Sequence, residues 1–333
     1  MPSNSEAEAW TLDWAHGRAQ VRRIGAMLAP LEFRLPDGRL CAPFYIAPWA
    51  DEAPAPDTSP MMQGLRGEWP CAPFGPAVAP EHLPTGWTVR SGPRAWDHGH
   101  ASHHAWTLLS QGPGVLELGI TLPAADALTR MERRLQADPD HAAITVSTTL
   151  VARADTVLPF ALHPTFAVPP GGLSLSIGPL AGVHTYPVPP VPGVSRLQPG
   201  CSAAGLDAVP ARDGPQDLRH FPLAHDTEEL VQLQACPSPI VLHRAQDGVT
   251  LSLSWDTAQL PDVLLWISQR GRQHAPWSGR NVALGVEPCL SCFDLTRVAE
   301  PPADHPLAHR RGLALRAGQA VTLSYRLAAE SVG

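Results

Sequence analysis

Apolar and polar residues alternate with a period of two over several short stretches. Residues 144–150 read Ile-Thr-Val-Ser-Thr-Thr-Leu, 249–255 read Val-Thr-Leu-Ser-Leu-Ser-Trp, and 321–327 read Val-Thr-Leu-Ser-Tyr-Arg-Leu. Successive side chains of a strand point to opposite faces, so these runs predict half-buried strands of antiparallel sheets. Helical periodicity is scarce. The best helix candidate is 124–136, where Leu128, Met131 and Leu135 form a weak stripe. Asp-Gly steps at 37–38, 213–214 and 247–248, a Gly171-Gly172 pair and many prolines supply turns at hairpin intervals. Residues 187–222 are Pro-rich and weakly periodic, with alternating runs on both sides, and predict a surface excursion from one sheet system rather than a linker. The expected architecture is all-β, one large antiparallel sandwich. It forms a single domain over 1–333, with 1–19 as an N-terminal extension and the continuous sandwich from about 20 to 328.

Composition narrows the function classes. With 38 prolines and 27 glycines spread along 333 residues, a mostly helical protein is excluded. At 44% hydrophobic and 17% charged residues, the chain can bury a substantial core. All 24 basic residues are arginine, so a Schiff-base lysine or a P-loop lysine cannot exist here. A net charge of -7 without an arginine stripe argues against a nucleic-acid partner. No apolar run approaches membrane-spanning length and 1–14 lacks secretory signal features, so neither membrane insertion nor export is expected. The six cysteines lack framework spacing, which fits reduced thiols in a cytoplasm. Cys289 and Cys292 form a lone C-x-x-C, read as ordinary cysteines at a strand end because a zinc ribbon needs a second pair.

Three features could carry chemistry. Four of the 15 histidines, His98, His100, His103 and His104, fall within seven positions. Such clusters bind metals, act as acid, base or hydrogen-bond donor, or simply line a solvated loop. On a strand, His98, His100, Ser102 and His104 would share a face. The second feature is a shared grammar: 157–164 ends in His163-Pro164, and 281–288 ends in Glu287-Pro288. A following proline holds the preceding residue extended and interrupts ladder donation, so each ionisable side chain is expected at the last position of a strand. Alternation puts Val282, Leu284 and Val286 on one face and Ala283, Gly285 and Glu287 on the other. Likewise Leu158, Phe160 and Leu162 oppose Pro159, Ala161 and His163, so each ionisable group shares its face with small neighbours that leave room for a ligand. Taken singly, Glu287 also reads as an arginine-paired structural carboxylate and His163 as a satisfied core histidine. Third, tryptophan is the commonest aromatic, at 10 against 7 Phe and 3 Tyr. Tryptophan faces stack on sugar rings, although most tryptophans are core residues.

These segments together resemble the aldose 1-epimerase (galactose mutarotase-like) superfamily. His163-Pro-Thr-Phe166 resembles its H-P-Y-F element, with Thr165 in place of the tyrosine. His98-Gly99 with Trp106 resembles H-G-(x)6-W, and Pro276-Trp-Ser-Gly-Arg280 followed by Leu284-Gly-Val-Glu287-Pro288 resembles its P-W-(x)-G-R and L-G-(x)-E-P run. Residues 65–75, from Leu65-Arg-Gly to Phe74-Gly75, are similar to a stretch of hexose-phosphate mutarotases. The resemblance implies a β-supersandwich over nearly the whole chain and interconversion of sugar anomers by ring opening, with no metal and no cofactor. It implies Glu287 as base on the anomeric hydroxyl, His163 as acid toward the ring oxygen and His98 as a second imidazole on the substrate. Arg66, His100, Trp106, Trp277 and Arg280 are the expected substrate-binding residues. The partner expected is a small sugar. A non-catalytic carbohydrate-binding protein on the same fold and a metal-dependent protein using the histidine cluster are the competing readings.

Overall fold

The computed structural model describes residues 8–92 and 95–332; residues 1–7 of the expected N-terminal extension lie outside them. Two large antiparallel sheets dominate. In the nine-stranded sheet the order is His220–Phe221, Leu173–Ser176, Ile240–Arg244, Val249–Trp255, Ala320–Ser331, Ala143–Ala152, Leu128–Ala137, Val115–Thr121 and Thr107–Gly112. The alternating runs read from the sequence are its three central strands. In the eight-stranded sheet the order is Ser202–Ala203, Gly182–Thr185, Thr227–Gln234, Asp262–Gln269, Val282–Leu290, Phe160–Leu162 and Pro70–Cys71, and Thr165–Ala167 pairs further along Val282–Leu290. A smaller sheet, Ala9–Trp14, Gly17–Arg22, Leu28–Arg34 and Leu40–Cys41, packs beside them. Its first hairpin covers the described part of the N-terminal extension, and Trp10, Leu12 and Ala19 are buried in the main core.

That core lies between the two large sheets, where Val146, Leu150, Leu251 and Leu253 from one meet Val231, Val263, Leu265 and Val286 from the other. The eight-stranded sheet is covered on its second face as well. There Leu264, Trp266, Ala283 and Cys289 pack under Trp69, Phe74, Trp277 and Phe293, contributed by loops. Every residue of Asp262–Gln269 is consequently buried. The site forms in this second layer.

Three expectations change. The 124–136 stretch is strand Leu128–Ala137, not a helix. Its inward positions are Met131, Arg133, Leu135 and Ala137, and the buried Arg133 breaks the apolar alternation. A register shift between Val151 and Ala152 brings Leu128 to the buried side three residues before Met131, which mimics a helical stripe. Residues 187–222 are not a purely surface excursion: Leu197, Leu206, Val209, Leu218 and Phe221 belong to the main core. The segment supplies an edge strand to each sheet, so its apolar residues close the open end of the sandwich. Finally, Pro288 does not end its strand, which runs to Leu290 and leaves Glu287 in the interior. Pro288 falls where the neighbouring chain breaks between Phe160–Leu162 and Thr165–Ala167, so its missing donor interrupts no ladder on that side. Among the described residues no helix is long and apolar enough to cross a membrane.

Candidate active site

The register of the eight-stranded sheet assembles the site. Ala161 pairs with Cys289, and continuing two places sets His163 across from Glu287. On the other side Leu264 pairs with Glu287, Trp266 with Gly285, and Leu230 with Trp266. Four adjacent chain segments thus present Leu230, Leu264, Trp266, Gly285, Glu287 and His163 to one face. Over that face lies a cavity of ≈ 220 Å³ whose walls include Trp69, Phe74, Asp97, His98, Arg272, Trp277 and Asp294.

His163 Nε2 stands 3.3 Å from Glu287 Oε1, with both side chains nearly inaccessible to solvent. The Trp69 ring stacks on the His163 imidazole, centroids 4.1 Å apart and planes 16° from parallel, and fixes its tilt. The other nitrogen, Nδ1, is 3.2 Å from Thr165 Oγ1, and that hydroxyl donates to the His163 carbonyl oxygen at 3.4 Å. While the hydroxyl donates there it accepts from Nδ1–H, an arrangement that favours the tautomer with the Nε2 lone pair towards the carboxyl. Burial drives both groups towards neutrality: it pushes Glu287 well above the usual carboxylate range, helped by Asp294, and His163 well below the usual imidazole range, helped by His98.

His98 is brought to the same place, its ring 5.3 Å from that of His163. It sits at φ 55°, followed by Gly99 at 85°, where a Cβ would meet the Ala72 carbonyl oxygen at 2.3 Å. This tight turn breaks the strand geometry expected for 98–104, and the four histidines diverge. Burial pushes His98 down to about 4. His100 stacks on His104 at 3.5 Å, and His103 packs on Trp96 at 4.8 Å. Both of the remaining C-x-x-C cysteines, Cys289 and Cys292, are buried in the second layer, with thiols raised by desolvation.

Of the expected binding residues, the structure brings Trp277 to the cavity and leaves four outside it. Trp106 is a core residue whose indole N–H donates to the Ala101 carbonyl at 2.9 Å. Arg66 is buried beside Asp51 at 3.6 Å, with Nε donating to the Gly64 carbonyl. Arg280 is exposed and paired through both terminal nitrogens with Glu52, beside a neighbouring depression. His100 is held in its stack with His104. Sequence reasoning passed over Trp69, Trp266, Arg272 and Asp294 as site residues. Trp266 reaches the cavity by strand register and Asp294 by the turn after Leu290, neither of which has a local signature. Arg272 reaches it because its guanidinium lies 4.5 Å over the Trp277 ring and pairs with buried Glu228 at 2.9 Å.

No protein-family model and no curated protein matches the sequence. Solved structures do match the fold. A GalM/aldose epimerase homologue from C. elegans covers 98% of this chain and 99% of its own, at 14% identity and TM-score 0.63. A galactose mutarotase-like protein from Lactobacillus casei gives 96% and 99% coverage, 14% identity and TM-score 0.62. One from Clostridium acetobutylicum gives 97% and 99% coverage, 12% identity and TM-score 0.59. The antiparallel sandwich described above is the galactose mutarotase-like fold, present over nearly the whole of this chain.

Proposed function

We propose that this protein is a cofactor-independent mutarotase, interconverting the α and β anomers of an aldose by acid–base ring opening. The observation that carries the reading is the buried His163–Glu287 pair, 3.3 Å apart in a tryptophan-walled cavity. Ring opening removes a proton from the anomeric hydroxyl and delivers one to the ring oxygen as the C1–O5 bond breaks and C1=O forms. A pair holding one proton in all does both. With the cyclic sugar bound, Glu287 as carboxylate takes the hydroxyl proton and His163 as imidazolium gives its own to the ring oxygen. The open-chain aldehyde then faces the neutral pair, the form that burial favours. Rotation about C1–C2 presents the other face, and reclosure returns both protons. Trp69, Trp266 and Trp277 offer apolar faces to the ring carbons, and His98 a hydrogen-bonding nitrogen to a hydroxyl.

Anomer exchange followed by NMR over a panel of aldoses tests this. Glu287→Gln and His163→Asn are each expected to slow exchange by about 10²–10⁴-fold while still binding sugar. The rate should hold a plateau across neutral pH. A second proton reaches the pair only in acid, because His163 is depressed, and the last leaves only in alkali, because Glu287 is raised. Wild-type rates in either variant would refute the mechanism. Tight binding without exchange of any aldose by the wild type would make the protein a carbohydrate-binding module instead.

A further inference from the structure

A third carboxyl faces the cavity beside the acid–base pair. Asp294 lies in the turn that follows strand Val282–Leu290, after Phe293 at φ 49°. Its backbone rests on Gly75, where a Cβ would come within 1.9 Å of the Asp294 carbonyl oxygen, so its position is fixed. The hydroxyl of buried Tyr186 donates to Asp294 Oδ1 at 2.8 Å, and the carboxyl lines the cavity. The ionisable groups facing Asp294 are Arg272, Asp97 and Glu287, and the Cys292 thiol lies close by. Burial pushes the Asp294 carboxyl up to about 6, against the pull of the Tyr186 hydrogen bond.

The charge inventory of the walls is one-sided. Among the described residues three acids, Asp97, Glu287 and Asp294, line the cavity with a single arginine, Arg272. That arginine is committed to Glu228 at 2.9 Å and to the Trp277 ring. Burial disfavours the charged forms of His98 and His163. Among the described residues a phosphate dianion entering here would meet one cation, Arg272, already paired with Glu228, against the surplus of acids, a combination that disfavours it through repulsion and unrepaid desolvation.

We propose that Asp294, held by Tyr186, is the specificity-determining residue of this cavity: it accepts a sugar hydroxyl away from the anomeric carbon and restricts the site to uncharged sugars. The proposal rests on the cavity taking a sugar, but not on the sugar reacting. Methyl glycosides of neutral aldohexoses cannot open their rings, so their binding, measured by calorimetry, reads Asp294 independently of catalysis. Wild type should bind the preferred methyl glycoside and bind the corresponding 6-phosphate at least about 10-fold more weakly. Asp294→Asn should weaken the neutral glycoside by about 10- to 100-fold, the range for losing a hydrogen bond to a charged group, and narrow the gap to the phosphate. Tyr186→Phe, which keeps the charge, should retain the discrimination against phosphate and controls for misfolding of the first variant. Where exchange is measurable, Asp294→Asn should move the alkaline limb of kcat/KM to lower pH, because removing a negative neighbour eases proton loss from Glu287. Equal or tighter binding of the 6-phosphate by wild type, or unchanged glycoside affinity and pH profile in Asp294→Asn, overturns the proposal. Exchange-inactive wild type whose binding still depends on Asp294 would sink the mutarotase reading and leave this one standing.

Discussion

Gly285 shows how a single missing methyl group shapes the surroundings of the His163–Glu287 pair. A Cβ there would meet Glu287 Oε1 at 2.5 Å and the Trp266 Cβ at 3.0 Å, so the carboxyl folds over space that only glycine leaves open. Its backbone needs no left-handed conformation, so alanine would act by displacing the carboxyl and crowding the Trp266 Cβ. Gly285→Ala is therefore expected to slow anomer exchange by about 10²-fold, the cost of moving a reacting group by an ångström, with the fold kept. Rate and melting temperature measured on the same preparation check this, and an unchanged rate would show that the carboxyl is not positioned by Gly285. Thr165 works at the same scale. Its hydroxyl lies against Nδ1 while donating to the His163 carbonyl, which favours the tautomer that turns the Nε2 lone pair towards Glu287.

Elements decide which aromatic residues serve the cavity. Trp106 directly precedes the edge strand Thr107–Gly112 and is wholly buried in the main core, anchored through its N–H to Ala101. Trp106→Ala should cost about 3–5 kcal/mol of stability and leave the sugar affinity of the folded protein unchanged. Denaturant titration alongside calorimetric binding separates the two effects, and a large fall in affinity would return Trp106 to the site. Strand Leu128–Ala137 carries a different burden. Its inward Arg133 pairs with Glu68 in complete burial, and the Tyr325 hydroxyl donates to the same carboxylate at 2.8 Å. Glu68 immediately precedes Trp69, so this ionic cluster in the sandwich interior ends one residue from the ring that stacks on His163.

At the scale of the whole molecule, one apolar cluster runs from Trp10 to Ala329 and takes residues from both large sheets, the N-terminal hairpin and the 187–222 segment. Adjacent strands are often distant in sequence: Ala143–Ala152 pairs with Ala320–Ser331, and Phe160–Leu162 with Val282–Leu290. Neither half of the chain can complete a sheet alone. Thermal unfolding followed by calorimetry is expected to show a single transition, and limited proteolysis to yield no two fragments that stay folded apart. Two resolved transitions, or two stable halves, would divide the chain into domains.

Local pattern was enough for the class of fold, and together with the motif resemblance it was enough to propose an acid–base pair. Period-two alternation identified central strands, and His163 and Glu287 could be singled out because each precedes a proline and shares a strand face with small residues, features carried within eight positions. Those same local rules misread 124–136, since a buried arginine neutralised across the sandwich by Glu68 looks polar in sequence. Trp106, Arg66, Arg280 and His100, expected at the substrate from the motifs, lie outside the cavity lining, because motif membership says nothing of which way a loop side chain turns. The cavity itself was beyond local reading. Its floor depends on the register that sets Trp266 beside Gly285 and His163 across from Glu287, and its walls on loops that return Asp97, Arg272 and Asp294 to one face. Register is fixed by the packing of two whole sheets rather than by any one strand, so the residues were determined by sequence and their meeting point by the tertiary structure.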